Sequence, residues 1–131
     1  MAAGLVDTAV LIDWANAAVI NALPDEVAVS AISMAELAAG PHLARDPAER
    51  ARRQANLQQA EALFEPLDFD RVAARSYGQI VAAATAAGRS HRGRIADLLI
   101  AAVAHANGLT LYTRNPADFA GLSTLITVVG V

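Results

Sequence analysis

No cysteine and no lysine occur in the 131 residues, aromatic side chains make up only 5% of them, and every long apolar run is interrupted. The missing cysteine rules out disulfides and thiolate zinc sites, so a bound metal would have to take oxygen or imidazole ligands. The missing lysine leaves arginine as the sole cationic side chain, ten copies in all. Chemistry that needs a lysine amine, such as that of phosphate-accepting receiver domains, is therefore removed, and any phosphate contact falls to the forked guanidinium. Scarce aromatics leave no ladder for base stacking, which assigns Trp14 to core or interface packing. The longest apolar stretch, Ile95 to Ala106, is broken by Asp97 and His105 and falls short of the roughly 18 residues a membrane span requires. Three fingerprints are also absent: G-x-G-x-x-G after a strand, G-x-x-x-x-G-K-[ST] and the G-x-S-x-G elbow.

What is present is a chain 55% hydrophobic, rich in Ala, Val, Leu and Ile, with a formal net charge of −3. That length and composition predict one domain over residues 1–131 with a core of small aliphatic side chains, and part of the apolar surplus is expected to cover an interface. Met1-Ala2-Ala3-Gly4 lacks the basic start and cleavage pattern of an export signal, so a cytoplasmic location is expected. The negative balance argues against general electrostatic attraction to nucleic acid but leaves local attraction open.

Short β-branched runs alternate with helical stretches. Strands are predicted at Ala3 to Val6, Val27 to Ser30, Glu65 to Asp68, Leu109 to Thr113 and Leu125 to Val129. Between them, Ala9 to Ala22 reads as a helix in two pieces around Asn16. Ser33 to Glu36 has capping-box spacing at the start of a helix reaching about Leu43. Asp46-Pro47 opens an amphipathic helix whose Arg50, Arg52 and Arg53 form a wet face. Asp70 caps Arg71 to Ala87, which Gly88 ends. Gly88 to Gly93 is a loop, and Arg94 to Asn107 is a strongly apolar helix stopped by Gly108. The alternation predicts an α/β fold, a parallel sheet covered by helices on both faces.

Four acids stand out against this background: Asp7, Glu36, Asp97 and Asp118 lie where a strand stops or inside an apolar helix. In an open parallel sheet such positions converge beyond the carboxyl ends of the strands. Clustered carboxylates repel one another, by about 4 kcal/mol for a pair about 4 Å apart at an effective dielectric of about 20. Protons or a cation must neutralise them, and oxygen-only ligation suits Mg²⁺ or Mn²⁺, which accept phosphate oxygens and support phosphodiester hydrolysis. Each acid also has a local explanation. Asp7 can cap the following helix, Glu36 can serve the Ser33 capping box, Asp118 can cap a turn, and Asp97 can pair with Arg94 at i−3. The basic run of Arg89, His91, Arg92 and Arg94 leads into the helix of Asp97 and reads either as a phosphate-holding segment or as a solvated loop. His42 and His105 read as surface or interface residues.

The stretches Leu5 to Asp13, Val29 to Gly40, Ala96 to Ala102 and Leu111 to Phe119, in this order, resemble the PIN-domain ribonucleases, most closely their VapC-type toxins. The resemblance implies a five-stranded parallel sheet between helices and an acidic site for Mg²⁺ or Mn²⁺. It passes catalytic and metal-binding roles to Asp7, Glu36, Asp97 and Asp118, with Thr113 and Asn115 supporting them; Thr8 is counted among the supports, and Arg89, Arg92, Arg94 and Arg114 are the candidates for RNA contact. It further implies a homodimeric endoribonuclease that cuts structured RNA such as tRNA or rRNA, leaves a 5′-phosphate and a 3′-hydroxyl, arrests translation and is held inactive by a VapB-type antitoxin. Two other readings stay open: a non-catalytic binding module of the same fold, and a nuclease acting on DNA.

Overall fold

The computed structural model describes residues 3–131; the Met1-Ala2 start, read above for an export signal, lies outside them. Strand β1 (Ala3–Val6) leads into helices α1 (Thr8–Ile12) and α2 (Ala17–Asn21). Strand β2 (Glu26–Ala28) is followed by α3 (Ala31–Ala39), α4 (Pro47–Leu63), α5 (Arg71–Ala86) and α6 (Ile95–Ala106). Strands β3 (Thr110–Thr113) and β4 (Val128–Gly130) complete the chain, and 3₁₀ turns lie at Gly40–Leu43, Arg92–Arg94 and Pro116–Phe119. No helix among the described residues is long and apolar enough to cross a membrane.

All strand pairs are parallel, in the order β2-β1-β3-β4. The chain first steps from β1 to β2 on one side and later to β3 on the other, so the order reverses between β1 and β3. Leu5 and Leu111 point to one face, into a core built with α5 and α6 around Ile80, Ile100 and Val103. Val6 points to the opposite face, where Val10, Val19, Leu37 and Ala60 from the N-terminal helices cover it. Burial on both faces explains why these strands read as nearly continuous apolar runs. Trp14 packs edge-on against Phe64 at 5.4 Å in this second core, the packing role expected of it.

The expected fifth strand, Glu65 to Asp68, is reduced to a single parallel bridge between Ser30 and Leu67 on the outer side of β2. Leu67 donates its N–H to the Val29 carbonyl and accepts from Ala31, both at 2.8 Å, and the ladder goes no further along the partner because the chain turns into α3 at Ala31. The last strand also starts later than expected. Leu125 and Ile126 turn back to the Leu122 carbonyl, and only Val128–Gly130 pairs with β3.

Helix starts follow the sequence closely where a short polar side chain precedes an apolar run: Asp7, Asn16, Asp46 and Asp70 each accept from a backbone N–H of the first turn. The start of α3 is the exception. Its cap is Ser30, whose hydroxyl accepts from Ser33 N–H at 3.1 Å, so Ser33 lies a turn inside the helix and the predicted Ser33–Glu36 capping box does not form. Arg53 also departs from the wet face assigned to it, bonding Glu49 at 2.5 Å and the Gly40 carbonyl at 2.9 Å. Leu111 is fully buried at the centre of the sheet. Leu111→Ala is expected to lower unfolding free energy by about 2–5 kcal/mol, read from urea denaturation midpoints.

Candidate active site

Asp7 is the residue immediately after β1, at the point where the strand order reverses, and only 5% of its surface is exposed. One carboxylate oxygen accepts the Val10 N–H at 3.1 Å, which makes Asp7 the cap of α1. The other accepts the hydroxyl of Thr113, a fully buried residue at the end of β3, in a short hydrogen bond across the switch point. Thr113 in turn accepts the Asn115 N–H at 3.0 Å, which fixes its own proton on Asp7. Thus Thr113 supports Asp7 through its side chain, and Asn115 does so through its backbone. The capping explanation for Asp7 holds, and it places the carboxylate at the head of the site as well.

The other acids arrive on separate elements. Glu36 projects from the middle of α3 and accepts the Thr8 hydroxyl at 2.5 Å. Asp97 sits in the first turn of α6, and Asp118 in the 3₁₀ turn after β3. Burial, followed by the charges of Asp118, Glu36 and Asp7, pushes Asp97 up to about 6, with Arg94 pulling the other way. Burial is also the main cause that raises Asp7, with Glu36 and Asp118 adding to it, against the hydrogen bonds from Thr113 and Val10. All four carboxylates therefore share one field.

Cations do little to relieve it. Among the described residues the only ion pair reaching these four acids is Arg94 to Asp118, at 3.8 Å. The expected local pair of Arg94 with Asp97 is replaced by this contact, because the guanidinium turns across to the 3₁₀ turn and donates to the Asp118 carbonyl at 2.9 Å. Arg89 fastens the same turn through the Ala117 carbonyl at 3.2 Å. Arg114 bonds Asp13 at 3.0 Å and the Val131 carbonyl at 2.6 Å. Three of the four arginines nominated for RNA contact are thus engaged with the protein's own oxygens, and Arg92 is left exposed.

The donor set fits a hard divalent cation: carboxylate oxygens only, mutually repelling, with no ion pair to Asp7, Glu36 or Asp97 among the described residues. Among the described residues no three acids, histidines or cysteines stand close enough together to hold a metal ion as they are placed, and the coupling of the four carboxylates is through the field they share across an open bowl. Mg²⁺ suits such a bowl, because it keeps several waters and takes one or two carboxylates directly. Next to Glu36 and Thr8 opens a cleft of about 400 Å³ with Ile12, Leu37 and Leu43 on its walls and Arg53 and Asn56 at its edge. His42 is exposed, as expected of a surface residue, whereas His105 is half-buried with its ring nitrogen 2.9 Å from the Ser76 hydroxyl.

The sequence profile of the PIN domain matches residues 4–122. Ribonuclease VapC5 of Mycobacterium tuberculosis is 36% identical over 129 residues, which cover 97% of this chain and 93% of that protein. The chain belongs to the PIN-domain family, in its VapC branch. Solved structures agree with that membership. VapBC-5 from Mycobacterium tuberculosis, a member of the VapBC family of toxin–antitoxin systems, matches with a TM-score of 0.82 at 35% identity over 100% of this chain and 98% of that one. FitAcB from Neisseria gonorrhoeae matches with a TM-score of 0.77 at 29% identity over 96% of each chain. Sequence reasoning took Ser30 as the end of a strand and Ser33 as a helix cap, and so missed that both hydroxyls are buried, with Ser33 3.1 Å from Thr8.

An acid whose pKa is higher in the folded than in the unfolded protein stabilises the fold while protonated. That stabilisation is complete below the unfolded value of about 3.9 and is lost as pH rises through about 6 for Asp97. Asp97→Asn is therefore expected to raise the melting temperature of the metal-free PIN domain at pH 7.5 and to leave it nearly unchanged at pH 4, as measured by scanning calorimetry.

Proposed function

We propose that this PIN domain is a metal-dependent endoribonuclease, the toxin of a toxin–antitoxin pair. The observation that carries the reading is the set of four coupled carboxylates at the sheet's switch point, three of which have no ion pair among the described residues. Asp7, Glu36, Asp97 and Asp118 would hold Mg²⁺ or Mn²⁺. Such an ion, when bound, lowers the pKa of a water and offsets negative charge on a phosphodiester. The protein's own part is positional. Thr113 and the start of α1 hold Asp7, the 3₁₀ turn pinned by Arg89 and Arg94 holds Asp118, and the buried floor beneath Asp97 excludes bulk water from one side of the bowl. With Asp97 raised by its neighbours, a cation would have to displace a proton from the site below about pH 6, so metal affinity rises with pH through that range.

RNA is the substrate favoured by relationship to a protein named as a ribonuclease. Structured RNA such as tRNA or rRNA, and arrest of translation in the cytoplasm, complete the proposal. The relative solved as VapBC-5, a member of the VapBC family of toxin–antitoxin systems, supports an antitoxin as partner. Its segment would lie in the cleft beside Glu36, where Ile12 is 55% and Leu43 71% exposed. A homodimer would account for other exposed apolar side chains such as Val72 and Ile95.

Asp7→Asn and Asp97→Asn change side-chain volume little. Each is expected to abolish Mn²⁺-supported cleavage of total RNA, a loss of at least about 100-fold, with the far-ultraviolet circular dichroism of the parent. Cleavage at the parental rate by either variant refutes the assignment. Digestion of single-stranded DNA alongside RNA separates the ribonuclease from a DNA-acting enzyme, and a protein that takes up no Mn²⁺ is a binding module instead. Arg92→Ala is expected to weaken RNA binding without changing the melting temperature and to reduce the salt dependence of binding by about one phosphate contact, measured by fluorescence anisotropy across a salt series.

A further inference from the structure

Glu36 differs from the other three acids in how it is held. Asp7 is fixed by a backbone N–H and a buried threonine, Asp118 by a pinned turn, and Asp97 by burial in the first turn of α6. Glu36 stands exposed on α3, and a glutamate left on a helix surface samples many rotamers. Its contact at the protein end is the hydroxyl of Thr8, the first residue of α1, 2.5 Å from one carboxylate oxygen. Behind Thr8 lie two more hydroxyls. Thr8 is 3.1 Å from Ser33, and Ser33 is 3.4 Å from Ser30, both serines being fully buried.

The protons in this group have only one consistent arrangement. A carboxylate can only accept, so the single proton of Thr8 goes to Glu36. The Thr8–Ser33 contact must then be donated by Ser33, whose one proton is thereby used. The Ser33–Ser30 contact must be donated by Ser30, which meanwhile accepts the Ser33 N–H as the cap of α3. The row therefore runs in one direction, from Ser30 through Ser33 and Thr8 to Glu36, and each hydroxyl bond polarises the next toward the anion. Capping explains Ser30 alone. It leaves the buried Ser33 hydroxyl and the crossing from α3 to α1 without a purpose.

We infer that Ser30, Ser33 and Thr8 form a one-directional hydroxyl row that holds the Glu36 carboxylate in the acidic bowl, with Ser33 and Thr8 acting as positioning residues for the cation. The inference rests on the proposed role of Glu36, and it makes the junction of α1 and α3 part of the site. It also places the row against the wall of the neighbouring cleft, since Thr8 and Glu36 line both.

The test uses Thr8→Val, which keeps the shape and removes the hydroxyl, Thr8→Ser, which keeps the hydroxyl, and Ser33→Ala. Two readouts apply: the side-chain carboxyl ¹³C resonance of Glu36 in the metal-free protein, and the Mn²⁺ dissociation constant by calorimetric titration, with thermal melting as the check on folding. Thr8→Val is expected to move the Glu36 resonance and weaken Mn²⁺ binding about tenfold. Ser33→Ala should do both in the same direction and to a smaller extent, although Ser33 touches no ion, and Thr8→Ser should restore the parental values. A Ser33→Ala protein with the parental Glu36 resonance overturns the row. Failure of the parent to bind Mn²⁺ strikes the proposed function instead, and the metal-free resonance still decides the row.

Discussion

Asp7 is bound by opposing demands, and the rest of the site is arranged around them. The start of α1 and the Thr113 hydroxyl offer hydrogen bonds that favour a carboxylate anion. Burial at the end of β1 and the charges of Glu36 and Asp118 oppose it, and they prevail. Desolvation is the largest of these effects, and the like charges of Glu36 and Asp118 add to it. A fold that gathers four carboxylates at one place keeps a standing electrostatic cost that a divalent cation would remove. The same cost disfavours filling the bowl with anything uncharged.

Topology makes this gathering possible. Because the strand order reverses between β1 and β3, the segments leaving those two strands part in opposite directions and leave a crevice at their carboxyl ends. Asp7 and Thr113 meet across it although they are distant in the chain. The helices α3 and α6 then bring Glu36 and Asp97 in from opposite faces of the sheet, each helix anchored by its own core. Separate anchoring matters, because the repulsion among the acids is resisted by packing and not by attraction within the site.

The arginines divide the labour differently from their appearance in sequence. Arg89 and Arg94 hold the turn of Asp118, and Arg114 ties Asp13 to the Val131 carbonyl. A guanidinium with five donors is well suited to such bracing, since it can span two acceptors at once. Little positive charge is then left near the bowl. With a net charge of −3, affinity for a polyanion would have to come from the site itself and from a few free side chains such as Arg92, which favours selective over general RNA binding.

Much of this protein was legible in its residues. Asp7, Asn16, Asp46 and Asp70, each just before a helical stretch, announced the helix starts, because a short acidic or amide side chain has a local partner in the next turn. The parallel α/β class followed from alternation, and Asp97 drew attention as an acid surrounded in sequence by apolar residues. Other features depended on contacts between distant segments. The fifth strand came to one bridge as its partner turned into α3 at Ala31, and the true cap of α3 proved to be Ser30, with Ser33 inside the helix beside Thr8. Arg94 chose Asp118 over the nearer Asp97. Local sequence determined which groups were available and where helices could begin, because those energies act within a turn. Which carboxylates, hydroxyls and guanidiniums became partners was decided only when the sheet's reversal brought their segments within a few ångströms, the range over which hydrogen bonds and unscreened charges act.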